Sequence, residues 1–195
     1  MSYIREAPLD ETNYPLFANV KNQFGFIPNF YRAQATRPDL IEAQAQLVDA
    51  ILIKESALTR KQKEYIFLVC SAANLSTYCV TAHCEMVRML GIEGPEPEQI
   101  AIDYASANLP LVQKALLTFV AKLNTEPTKI RKADVDDLRT YGYSDEQIHE
   151  TFKDVPAGWV RTAQQLRTFP FGQMKGKWVG MTKEQIPGGP VGAPK

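Results

Sequence analysis

The sequence has 195 residues, 45% hydrophobic and 23% charged, enough to bury a full core as one domain or two closely packed halves. Lys and Arg total 22, as do Asp and Glu, so no net charge points to nucleic acid or an anionic membrane as partner. No apolar run nears the ~20 residues of a membrane span, and the opening Met1-Ser-Tyr-Ile-Arg-Glu lacks the basic-then-apolar pattern of a signal peptide. Three cysteines are too few for a disulfide scaffold, so the reducing cytoplasm is the expected setting.

Residues 1–14 read as an irregular arm, with residues 1–9 lacking any pattern. Pro15 suits the first position of a helix that stops at Gly25, with Leu16, Phe17, Val20 and Phe24 as its apolar face. Phe26-Ile-Pro-Asn-Phe-Tyr follows as an apolar connector bent at Pro28. Thr36-Arg-Pro-Asp starts a helix to about residue 53, with Leu40, Ala43, Leu47 and Ile51 spaced for burial. Thr59-Arg-Lys-Gln62 is the pattern of a capping box, and the helix it opens is apolar on most sides after Glu64. A second central helix is expected over 76–90, burying Tyr78, Val80, Ala82, Met86 and Val87 and stopping at Gly91. Helices at about 98–108 and 111–124 are separated at Pro110, and a shorter one at 132–141 ends at Gly142. Ser144-Asp-Glu-Gln147 caps a last helix running toward Arg167, with a break near Pro156. Residues 186–195, rich in Gly and Pro, read as a loose tail. With no alternating strand pattern, the class is all-α. The expected division is 1–14 arm, 15–168 helical domain and 169–195 extension.

Chemistry concentrates in Ser71-Ala-Ala-Asn-Leu-Ser-Thr-Tyr-Cys-Val-Thr-Ala-His-Cys84, the turn between the central helices. Asn74 and Ser76 are both suitable N-caps for the second of these helices; if Ser76 is the cap, Cys79 falls in the first helical turn, where unpaired N–H groups and the helix dipole favour a thiolate. His83 lies four residues on, on the same face. His149, among Glu146, Glu150 and Lys153, reads as a surface residue. Cys70 reads as a packed small hydrophobe, and Cys84 as pointing off the core. No glycine-rich phosphate loop or flavin-type signature is present, so no cofactor is expected.

Glu64, eleven residues, then Ser76-x-x-Cys79-x-x-x-His83 resembles the alkylhydroperoxidase D (AhpD) signature of Glu followed by Cys-x-x-Cys-x-x-x-His. Residues 78–83, Tyr-Cys-Val-Thr-Ala-His, are similar to the peroxidase-related branch of the carboxymuconolactone decarboxylase superfamily. So are Gly25-Phe-Ile-Pro-Asn-Phe-Tyr-Arg-Ala33, Arg37-Pro-Asp-Leu40, Leu138-Arg and Gly142-Tyr-Ser-Asp-Glu-Gln-Ile148. The resemblance covers residues 15–165. It implies an all-helical fold, a homo-oligomer (dimer, trimer or hexamer) and thiol-based reduction of hydroperoxides. The chain departs from the signature at Ser76, which stands where the first cysteine is expected and cannot close an intramolecular disulfide. Cys84 does not replace it: five helical residues carry it roughly 140° around from Cys79, and a disulfide needs Cα atoms within ~7 Å.

The expected chemistry is therefore a one-cysteine variant. Cys79 is the nucleophile, Ser76 a hydrogen-bond donor to it, and Glu64 with His83 a proton relay. The sulfenic acid formed by a hydroperoxide would be reduced by a small thiol, a protein partner, or Cys84 of a second copy. Two readings from other classes stand beside it. Cys79 and His83 at i, i+4 could ligate a metal with Glu64 or Cys84 as third ligand. The fold could also serve a carboxymuconolactone decarboxylase-like reaction, which needs a cationic pocket into which the sequence does not bring Arg88, Arg131 and Arg161 together, or a catalytically silent oligomeric binding protein.

Overall fold

A computed structural model describes residues 7–154. The chain divides into two compact units, Met1–Lys54 and Glu55–Lys195. Among the described residues every regular element is helical, and no helix is long and apolar enough to cross a membrane. The expectations for residues 1–6, for the last helix beyond 154, for Arg161 and for the tail at 186–195 lie outside the described residues.

In the first unit, Asp10 Oδ1 accepts the backbone N–H groups of Thr12 and Asn13, a turn that delivers the chain to α1, Pro15–Phe24. Pro15 sits at the helix start, and α1 ends at Gly25 with φ 77°, a left-handed cap glycine adopts without a Cβ penalty. The expected connector instead contains a short helix, α2, Asn29–Arg32. Helix α3, Pro38–Val48, continues into a π-helical turn, Asp49–Ile53. Its buried side chains are Ile41 and Leu52, not the expected Leu40, Ala43 and Leu47, which are exposed. The two apolar stripes lie one residue, ~100°, apart on the helix, and packing on Phe17, Ala35 and their neighbours selects the Ile41 stripe.

The second unit is built around α4, Arg60–Ala73, which packs against α5 (Thr77–Met89), α6 (Pro97–Asp103), α7 (Leu111–Thr125) and α9 (Asp145–Asp154). A 3₁₀ turn at Pro127–Lys129 and helix α8, Lys132–Thr140, join α7 to α9. Neighbours on four sides explain why α4 is apolar nearly all round: Tyr65, Ile66, Leu68, Val69 and Cys70 are all buried. Both bonds of the Thr59/Gln62 capping box are made. Ser144 and Gln147 reciprocate in the same way ahead of α9, and the Glu150 carboxylate accepts the N–H groups of Ala57 and Leu58, tying α9 to the chain just before α4.

Only Asn74, Leu75 and Ser76 separate α4 from α5. Leu75 adopts φ 55° and is the one non-glycine residue among those described with positive φ. Its N–H donates to Ala72 O and that of Ser76 to Ser71 O, so the turn is closed by α4's own last carbonyls. This tight reversal runs α5 back along α4 and lets His83 of α5 meet Glu64 of α4.

Candidate functional site

The site begins with an electrostatic anomaly. The first turn of α4 carries Arg60, Lys61 and Lys63 and no acidic residue, against a helix dipole that disfavours cations there by about 0.3–1 kcal/mol each. Lys61 Nζ reaches out to Glu93 O at 2.5 Å. Arg60 turns inward, and its Nε and Nη2 both lie 2.7 Å from Glu64 Oε1, one helical turn along.

Glu64 has no exposed side-chain surface, and an ion so placed must be paired. Its second oxygen, Oε2, lies 2.7 Å from His83 Nδ1 on α5. The carboxylate thus bridges two helices, with a guanidinium on one oxygen and an imidazole on the other. A carboxylate only accepts, so Nδ1 carries the proton in this bond and Nε2 of a neutral His83 is the acceptor atom. Phe67, one turn beyond Glu64, stacks on the imidazole with ring centroids 5.2 Å apart and planes inclined by 29°. Edge and face of the ring are both held, while the His83 side chain stays 17% exposed.

Ser76, one of the two expected caps, is the N-cap of α5, but its side chain makes no cap hydrogen bond. Cys79 is the third residue of α5 and half-buried, on the same helical face as His83. Tyr78, expected to pack, is 47% exposed, and Ala82 is exposed as well. Of the expected set, Val80 and Val87 do face the core, and Cys84 joins them there. Cys84 is therefore buried, contrary to the expectation that it points away from the core. Burial, then the charge of Glu98 to which it is hydrogen-bonded, pushes its thiol above the ordinary range. Cys70 is buried as expected, and none of the three cysteines forms a disulfide.

The structure thus brings Glu64 and His83 into contact and leaves Cys84 on a separate face. Two participants were not among the sequence candidates, Arg60 and Phe67. Both were legible in principle: they fall four before and three after Glu64, on one face of α4. Among the described residues no three His, Cys, Asp or Glu side chains are grouped so as to hold a metal ion. Of the arginines considered for a carboxylate pocket, Arg88 is committed to Glu85 and Glu98, and Arg131 donates to the carbonyls of Thr128 and Ile130.

Residues 38–121 match the profile of the carboxymuconolactone decarboxylase family. Among curated proteins no sequence match is found. Solved structures do match. A peroxidase-related protein from Ralstonia eutropha JMP134, described as an alkylhydroperoxidase AhpD core, superposes with TM-score 0.72 at 27% identity, over 85% of this chain and 91% of its own. A peroxidase-related protein from Silicibacter sp. TM1040 gives TM-score 0.72 at 24% identity, over 85% and 87%. A debrominase in complex with 2,3,4-tribromopyrrole gives TM-score 0.64 at 20% identity, over 85% and 89%, a likeness of fold alone.

Proposed function

As the chain belongs to the AhpD-like part of the carboxymuconolactone decarboxylase superfamily, we propose that it reduces hydroperoxides through the single cysteine Cys79, with electrons from an external thiol. The observation that carries this reading is the buried Glu64 bonded to His83 Nδ1 at 2.7 Å, which leaves Nε2 to take a proton from a thiol on its own helical face.

Cys79 sulfur attacks the outer oxygen of ROOH. An S–O bond forms, the O–O bond breaks, and the alkoxide leaves as ROH with the proton stored on His83. The sulfur has lost two electrons and is a sulfenic acid. An external thiol then attacks that sulfur, forming a mixed disulfide and releasing water. A second external thiol attacks the mixed disulfide, returning Cys79 as a thiol and leaving R′S–SR′. The sum is ROOH + 2 R′SH → ROH + H₂O + R′SSR′.

The outside source is required by what the chain lacks. Ser76 offers no sulfur, and Cys70 and Cys84 are 5% and 3% exposed. A cytoplasmic setting, where thiols are kept reduced, supplies the donor, and a homo-oligomer is the assembly proposed. The assay is consumption of an organic hydroperoxide with dithiothreitol in excess. Turnover in the wild type that vanishes in Cys79→Ser supports the reading; equal consumption by both proteins overturns it.

A further inference from the structure

A carboxyl group turns easily about its last side-chain torsion, whose preference is broad and roughly two-fold. In water, solvent would bond whichever oxygen was left over. Glu64 has no exposed surface, so its orientation is set by side chains alone. Arg60 brings two donors, Nε and Nη2, to one oxygen, each at 2.7 Å. That geometry occupies Oε1 and leaves Oε2 to face His83 Nδ1 at 2.7 Å. A Lys at the same place could supply a point charge but not two N–H donors of one planar group converging on Oε1.

We propose that Arg60 is a positioning residue of the thiol site. By holding Oε1 it aims Oε2 at His83 Nδ1, which places the imidazole proton there and keeps Nε2 as the proton-accepting nitrogen. The link to turnover rests on the Cys79 reading above; the link to the tautomer of His83 does not. With its side chain 27% exposed, Arg60 is also open to small solutes, so a guanidinium ion can enter the space that a truncated side chain leaves.

The test uses both links. His83 and His149 are the only histidines, so nitrogen-15 imidazole resonances of the full chain are assigned with one variant, His149→Gln. In the wild type the neutral ring is expected to show a protonated Nδ1. In Arg60→Met, checked as folded by its thermal transition, the resonances should move to a mixture of tautomers. Peroxide turnover should fall about 10- to 100-fold, a part of the 10²–10⁴ that general acid–base groups contribute. Added guanidinium chloride at millimolar concentration should restore several-fold of the loss in Arg60→Ala and none in the wild type. Arg60→Met with an unchanged tautomer overturns the proposal, as does unchanged turnover in a turning-over enzyme. A wild type without any peroxide turnover would sink the Cys79 reading, and the nitrogen resonances alone would then decide for or against Arg60.

Discussion

Replacing Glu64 by Gln keeps the shape of the side chain and removes its charge. The carboxylate accepts from Arg60 Nε and Nη2 and from His83 Nδ1, all at 2.7 Å. Hydrogen bonds to charged groups are worth about 1.5–3 kcal/mol each, but the amide oxygen still accepts from Arg60. Arg60 is 27% exposed, so its unpaired charge is partly taken up by water, and the loss stays below the ~3–5 kcal/mol of a fully buried broken pair. About 2–3 kcal/mol remains, which lowers the melting temperature by roughly 10 °C for a unit of this size. The effect on turnover has a different origin. The amide NH₂ donates to Nδ1, so the ring proton must move to Nε2 and the acceptor atom is lost. General-base removal costs about 10²–10⁴ in rate, and the equivalent amide swap in a serine protease triad lies near 10⁴. The assay is thiol-coupled hydroperoxide consumption at a temperature below the melting transitions of both proteins, with the fold checked by circular dichroism. A variant melting about 10 °C lower yet turning over within threefold of the wild type would refute the reasoning and leave the Glu64–His83 pair a structural bridge.

Cys84→Ala should leave turnover within about twofold of the wild type, and native protein treated with iodoacetamide should be alkylated at Cys79 first, as peptide mass mapping would show; early labelling of Cys84 would contradict its burial. Gly94→Ala places a methyl 2.6 Å from Tyr65 Oη at φ 153°, so about 1–3 kcal/mol of stability should be lost. Tyr65→Phe removes the hydroxyl, which has no hydrogen-bond partner, and should recover part of that loss in the double variant; strict additivity in chemical denaturation would argue against the clash. Leu75→Gly relieves a left-handed leucine that is 89% exposed and should raise stability by up to about 1 kcal/mol. The Arg88 guanidinium holds the Glu98 carboxyl below the usual carboxylate range. Glu98 therefore contributes stability above that range and loses it as pH falls through its lowered value, so Arg88→Gln should flatten the acid limb of melting temperature against pH.

Helix boundaries were the most legible feature because local chemistry sets them. Pro15, Gly25, the Thr59/Gln62 box and Ser144/Gln147 act within a turn of themselves, and each sits at its predicted place. Which stripe is buried was less legible. Helices α3 and α5 each carry two apolar stripes, and the choice of Ile41 over Leu40, or Cys84 over Tyr78 and Ala82, is made by the packing partner. Within the site, the joining of Glu64 to His83 followed from a motif plus a tight reversal. Arg60 was passed over because a base at a helix start reads as an unfavourable surface charge; its meaning emerges only once Glu64 is seen buried beside it.

In the function proposed above, one sulfur, that of Cys79, takes the oxygen of a hydroperoxide and must look outside the chain for its reductant. The direct measurement is the intact mass of fully reduced protein after one equivalent of hydroperoxide, first alone and then with glutathione. A single added oxygen mapped to Cys79 is expected, replaced by one glutathione at the same residue. Protein that stays at its reduced mass, or forms an internal disulfide with Cys70 or Cys84, would contradict it.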